Sequence, residues 1–237
     1  MVQPTQQNDE SRLARFLREW RGFFLFLVVM LVFRSAIADW NQVPSGSMIP
    51  SILVGDRIVV DKLAYDLRVP FTLLRVARWA DPDRSDVVTF ESPKDGKLLV
   101  KRVVGIPGDE VQMLDNRLII NGEPAEYAEI AATQLHSVIA SPRSRVQVAT
   151  ETVLGKSRMV MVHRYRHPRV TSTFGPIEIP QGHYLVLGDN RDNSQDSRKI
   201  GLVNREAILG KANSVAFSLD YDNYYIPRGE RFFQDLN

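Results

Sequence analysis

Leu98-Leu99-Val100-Lys101-Arg102-Val103-Val104 is the stretch on which the fold turns. Asp95-Gly96 precedes it and Gly105 follows, so a run of aliphatic and β-branched residues is bounded by turn signals and reads as a strand. A period of two places Leu99, Lys101 and Val103 on one face, and Leu98, Val100, Arg102 and Val104 on the other. Lys101 therefore projects from an apolar face, the environment that disfavours its charged form. The same rhythm extends outward through Arg57 to Val60, Asp86 to Phe90, Glu110 to Met113, Arg117 to Ile120 and His183 to Leu187. Asp95-Gly96, Asp115-Asn116 and Asn121-Gly122 stand where tight hairpin turns belong. The expectation is a mainly β protein with an antiparallel core.

Two stretches break the rhythm. Lys62 to Trp79, with Pro70 in its middle, reads as a loop with one helical turn. Ala125 to Gln181 reads as an inserted lobe with weak strands such as Met159 to His163, arginine-rich at 143–145 and 164–169. Ala207 to Phe217 reads as a closing strand pair around Gly210, and the polar tail beyond it carries no pattern. Residues 39–237 form one β domain on this reading, with 125–181 as the inserted lobe.

The N-terminus has a different character. Met1 to Glu10 is polar and reads as a disordered start; Arg12, Arg15, Arg18 and Arg21 share one face of a helical segment. Gly22 to Phe33 is almost wholly apolar, Ile37 and Ala38 extend it past Arg34, and Trp20 and Trp40 bracket it. Such a run is expected to form one transmembrane helix over 22–38, with Arg34 snorkelling to the headgroups. The arginines before the span put 1–21 in the cytoplasm and the rest of the chain outside. A cleaved secretory signal ending at Ala36-Ile37-Ala38 would export the chain equally.

At 237 residues, 44% hydrophobic and 24% charged, the chain is long enough and apolar enough to bury a real core. A net charge of +2, with no basic stripe interleaved with aromatics, gives no support for nucleic-acid binding. The lack of cysteine removes disulfides, thiol catalysis and thiolate metal sites.

Pro44-Ser45-Gly46-Ser47-Met48 lies directly after the apolar span. Small neighbours leave the Ser47 hydroxyl uncrowded, although Pro/Ser/Gly clusters also make ordinary turns. A serine nucleophile needs a base. Of the seven lysines only Lys101 sits on an apolar face, where burial offsets the roughly 4 kcal/mol handicap of a protonated amine near neutral pH. Gly188-Asp189-Asn190-Arg191-Asp192-Asn193-Ser194-Gln195-Asp196-Ser197-Arg198 is a loop dense in hydrogen-bonding groups. It lacks the glycine of a calcium loop. No serine is followed three residues later by lysine, and there is no G-x-S-x-G elbow. His163 and His167 lack the intervening glutamate of a zinc helix, and a Ser/His/Asp triad would need a histidine from the lobe or His183.

In three blocks the chain resembles bacterial type I signal peptidases, membrane-bound Ser/Lys endopeptidases of the peptidase S26 family. They are Val43-Pro44-Ser45-Gly46-Ser47-Met48 with Pro50, Lys101-Arg102-Val103-Val104-Gly105 with Pro107-Gly108-Asp109, and Gly188 to Arg198. Order and position after an N-terminal anchor match as well; the lobe looks like the family's variable insertion. The resemblance implies Ser47 as nucleophile, Lys101 as general base, and the Ser45 hydroxyl with the Ser47 backbone N–H as oxyanion hole. It implies that Ser194 orients the Lys101 amine, and that Arg102, Asp189, Asp196 and Arg198 form an ionic scaffold. Val43, Pro44, Leu99 and Val100 would flank an extended substrate. The activity implied is removal of signal peptides after small-x-small sites, without metal or cofactor, on preproteins in the bacterial inner membrane beside the export translocon, with the catalytic domain periplasmic or extracellular. A relative dedicated to one pilus-like substrate, and a tethered β domain that merely binds peptides, are the rival readings.

Overall fold

The structure, a computed structural model, describes residues 12–72, 74–130, 145–164 and 171–236. The polar start Met1 to Glu10, Arg143, His136, His167 and most of the 164–169 stretch lie outside the described residues.

Helix α1 (Arg12–Glu19) leads through Trp20 into α2 (Arg21–Ala36), whose apolar side chains from Phe23 to Phe33 are exposed on every face. The helix is shorter than the 22–38 span expected. Ile37 caps it, and Ala38 is drawn into a strand that pairs with Asp61. At 16 residues it is about 24 Å long, and no helix among the described residues is long and apolar enough to cross a membrane.

Past α2 the chain forms β1 (Ala38–Gln42) and β2 (Asp56–Asp61), paired antiparallel. The expected loop at 62–79 is instead a hairpin of β3 (Asp66–Arg68) and β4 (Arg75–Arg78). Its organising group is the buried Asp66 carboxylate, ion-paired to Arg68, Arg75 and Arg205, which no hydrophobic alternation announces. β5 (Val87–Glu91) and β6 (Leu98–Gly105) follow as expected, then β7 (Glu110–Leu114), β8 (Arg117–Ile120) and β9 (Glu123–Pro124). Asp115 and Asn116 have φ of 51° and 63°, the left-handed pair that a two-residue hairpin turn requires.

The lobe is more regular than expected. β10 (Glu126–Glu129), β11 (Val146–Val153) and β12 (Lys156–His163) make a three-stranded sheet, and β13 (Phe174–Glu178) pairs with β7. Its inward positions include Glu151 and Arg158, so polar residues occupy places where an alternation pattern looks for apolar ones. β14 (His183–Leu187), α3 (Ser197–Ile200) and β15 (Val203–Asn204) complete the centre. The expected strand pair at 207–217 is one strand, β16 (Ile208–Asp220), kinked by register shifts. Gly210 does not break it. It lets β2 come close, since a Cβ there would lie 2.6 Å from the Asp61 carbonyl oxygen. The tail belongs to the fold through β17 (Ile226–Pro227) and β18 (Gln234–Asp235), both on β16.

The main sheet runs β1-β2-β16-β5-β6-β14-β15. Leu99 and Val103 pack with Phe90 and Val186, Val100 packs with Met48 and Ile58, and Val104 with Leu187, so the period of two read in β6 is kept. Each fully buried aliphatic side chain is worth roughly 1.5–3 kcal/mol, and β6 lends two of them, Val103 and Val104, to two clusters while half-buried Val100 packs on a third.

Candidate active site

Ser47 lies on a single 3-10 turn, Gly46–Met48, between β1 and β2. Its neighbour Met48 is fully buried among Val43, Ile52 and Ile58, which pins the turn to the core. Val43 N–H donates to the Asp56 carbonyl (3.0 Å), and the Asp56 carboxylate accepts from Leu53 N–H (2.8 Å) and from Arg231 (2.6 and 3.1 Å). The C-terminal tail thus braces the loop that follows the serine.

Lys101 comes from β6, as read from its period, and is 2% exposed. Its Nζ stands 2.7 Å from Ser47 Oγ and 2.7 Å from the Val100 carbonyl oxygen. Burial lowers the amine from its ordinary 10.5 to about 8, although the Asp196 and Asp189 carboxylates pull the other way. Desolvation wins because neither carboxylate touches the amine; each is committed to an arginine. Asp189 takes a bidentate pair from Arg102 (2.9 and 2.8 Å), and Asp196 one from Arg198 (2.8 and 2.7 Å). Burial alone would raise the Asp196 carboxyl; the Arg198 contacts and the Gly188 N–H hold it below the usual range.

Ser45 is exposed, with its hydroxyl 3.5 Å from Ser47 Oγ. Ser194 is buried beside Gly188, but its hydroxyl does not bond Lys101 Nζ; the polar group that it influences is the Asp196 carboxylate. Gly188 is required by close approach rather than by φ: a Cβ would collide with Ser194 Oγ and lie 2.5 Å from the Ser47 carbonyl oxygen. Of the four expected groove residues, Pro44 is exposed, Leu99 and Val100 are half-buried, and Val43 turns its side chain into the core. The β14 register on β6 stops at Leu187↔Arg102, so from Leu98 to Lys101 that strand has β5 on one side and, among the described residues, no paired strand on the other.

Sequence reasoning missed two groups. Asn190, read only as part of a polar loop, donates from Nδ2 to the Gly46 carbonyl (2.9 Å) and from its N–H to the Ser47 carbonyl (3.1 Å). Glu151 of the lobe is fully buried between Arg158 and Arg191 and accepts both amino groups of Arg191 (2.7 and 2.8 Å). Arg191 was visible in the same loop; its partner lies 40 residues upstream in a segment with no readable pattern.

A serine hydroxyl against a buried, partly neutral amine, beside an open strand edge, has the equipment for acyl transfer from an extended peptide. That defines a class, the peptide-bond hydrolases. The family model described as signal peptidase, peptidase S26, matches residues 17–217, and the chain belongs to that family of hydrolases. The signal peptidase I of Pseudomonas fluorescens is 38% identical over 223 residues, covering 89% of this chain and 75% of its own. That of Pseudomonas aeruginosa is 37% identical over 227 residues, with the same coverage. A crystal structure of a signal peptidase I from Enterococcus faecalis aligns at 27% identity over 56% of this chain and 97% of that one, with a TM-score of 0.32.

Proposed function

We propose that this enzyme removes N-terminal signal peptides from exported preproteins, with Ser47 as nucleophile and Lys101 as general base. The observation that carries the reading is the 2.7 Å contact between Ser47 Oγ and a buried Lys101 amine lowered to about 8. With the amine neutral, the Ser47 O–H donates to it. Lys101 accepts that proton as Oγ attacks the scissile carbonyl, while the Ser47 N–H and the Ser45 hydroxyl receive the developing oxyanion. The Lys101 ammonium then protonates the leaving amine, and the mature protein departs with a new N-terminus. Water attacks the remaining ester with Lys101 again as base, freeing the signal peptide as a carboxylate. Ser194, beside Asp196, is the residue whose hydroxyl turns to the Lys101 amine and orients it during the reaction.

The substrate adds as a strand along the open edge at Leu98 to Val100, opposite Pro44. Alternate residues then face the protein, which accounts for small side chains two apart, as in Ala-x-Ala. The exposed apolar surface of α2 favours burial in the bacterial inner membrane as a single anchor, N-terminus in the cytoplasm and catalytic domain on the far side beside the translocon. From Trp40 the chain reaches Ser47 in at most ~25 Å, which confines the nucleophile to the bilayer surface where preproteins present their cleavage sites.

The test is cleavage of a purified preprotein in detergent across pH. Wild-type activity should rise through about pH 8 as Lys101 loses its proton. Ser47→Ala and Lys101→Met should each lose it; a retained rate in either removes that residue from the mechanism.

A further inference from the structure

Ser47 sits between two peptide units, and the same residue holds both. Asn190 Nδ2 donates to the Gly46 carbonyl oxygen at 2.9 Å, and Asn190 N–H donates to the Ser47 carbonyl oxygen at 3.1 Å. A peptide unit is planar and trans, so its N–H points opposite to its C=O. Fixing the Gly46 oxygen therefore fixes the direction of the Ser47 N–H, which belongs to the same plane. Glycine at 46 makes the restraint necessary, because a peptide flanked by glycine rotates at little steric cost. The other acceptor role of that oxygen, toward Ile49 N–H at 3.3 Å, is long and closes only the local turn.

Asn190 is itself held from behind. Met161 N–H donates to the Asp189 carbonyl (2.8 Å) and Arg191 N–H donates to the Met161 carbonyl (2.9 Å), so β12 grips the chain on both sides of Asn190. The Glu151–Arg191 pair locks the next residue onto the lobe. Asn190 is 2% exposed and its Oδ1 has no hydrogen-bond partner among the described residues. An unpaired buried carbonyl costs about 1–3 kcal/mol. Reversing the amide would set that oxygen against the Gly46 oxygen, so the donor must face Gly46.

We propose that Asn190 is a positioning residue of the oxyanion hole, aiming the Ser47 N–H through the Gly46–Ser47 peptide, with the β11–β12 lobe as its backing. This rests on Ser47 being the nucleophile. Asn190 touches no reacting atom, so its loss should lower kcat and leave substrate binding alone.

The experiment compares wild type, Asn190→Ala and the isosteric Asn190→Asp, which replaces the donor by an acceptor, in the full-length detergent-solubilised enzyme. Measured are kcat and KM on a preprotein, the pH midpoint of kcat, and affinity for a substrate-like peptide aldehyde, whose hemiacetal on Ser47 carries the oxyanion. Direct loss of an oxyanion donor costs about 10²–10³-fold in rate, so losing its aim should cost roughly 10- to 100-fold. The expected result is that fall in kcat with KM within about twofold, aldehyde affinity weakened in step, and the wild-type pH midpoint kept in Asn190→Ala. Unchanged kcat in Asn190→Asp, or a loss carried by KM with aldehyde affinity intact, overturns the proposal. Ser47→Ala run alongside separates the two ideas: activity surviving there removes the nucleophile itself, whereas an inactive Ser47→Ala with a fully active Asn190→Ala removes only the positioning role.

Discussion

At the scale of single residues, Lys101 trades stability for chemistry. Its amine titrates at about 8 in the fold against an ordinary 10.5, a difference worth about 3 kcal/mol. Folding favours the neutral form, so the penalty stands in full below pH 8, shrinks as pH rises from 8 towards 10.5, and is gone above that. Lys101→Met should therefore be inactive yet melt higher than wild type at pH 7, with the gap closing by pH 10; calorimetry of both proteins across that range checks the sign. Gly188→Ala makes a complementary case. A methyl group driven against Ser194 Oγ and the Ser47 carbonyl must push the serine turn away from Lys101, and cleavage should fall at least 10-fold with a comparatively small change in melting temperature. Lys101 was legible because one charged residue on an apolar strand face is conspicuous. Asn190 was not, because its partners are backbone carbonyls more than 140 residues away, and a main-chain acceptor leaves no mark on the sequence.

At the scale of elements, hydrophobic alternation found the strands that it feeds and missed those built on charge. β2, β5, β6, β7, β8 and β14 all stand where period two put them. The β3–β4 hairpin is organised on Asp66, and β11 and β12 face each other through Glu151 and Arg158, so the first was read as a loop and the second only as weak strands such as Met159 to His163. The same chemistry makes the lobe sensitive. Burial alone would raise the Glu151 carboxyl, but Arg191 and Arg158 hold it at about 2. Its contribution is full above the unfolded value of 4.5 and is lost as pH falls from there towards 2. Glu151→Gln leaves two guanidiniums buried beside a neutral group and should cost about 3–5 kcal/mol, read by urea unfolding at pH 7. With β12 loosened behind Asn190, kcat should drop in the same variant under conditions where it is still folded.

At the scale of the whole molecule, the proposed anchoring by α2 predicts different effects on different substrates. Deleting residues 1–34 leaves every group of the site in place and removes the exposed apolar helix. Cleavage of a short soluble peptide should then stay within about twofold, while cleavage of a preprotein embedded in vesicles falls by roughly 10-fold or more, since confinement to one surface raises effective concentration. Equal losses on both substrates would count against the anchor as a delivery device. The broad plan, an apolar helix before an antiparallel β domain, was readable because one shows as an unbroken apolar run and the other as period-two alternation; the closing role of the tail was not, since Arg231 acts through Asp56, 175 residues earlier. The strand order has a further consequence in time. The segment carrying Ser47 meets β6 and its Lys101 by way of β16, which lies between β2 and β5. As the chain is made from its N-terminus, Ser47 and Lys101 are both in place in the sequence long before Ile208–Asp220 arrives to stitch their halves together. A half-made copy therefore has the two halves of its sheet still unjoined, and the Ser47–Lys101 contact waits on nearly the whole chain.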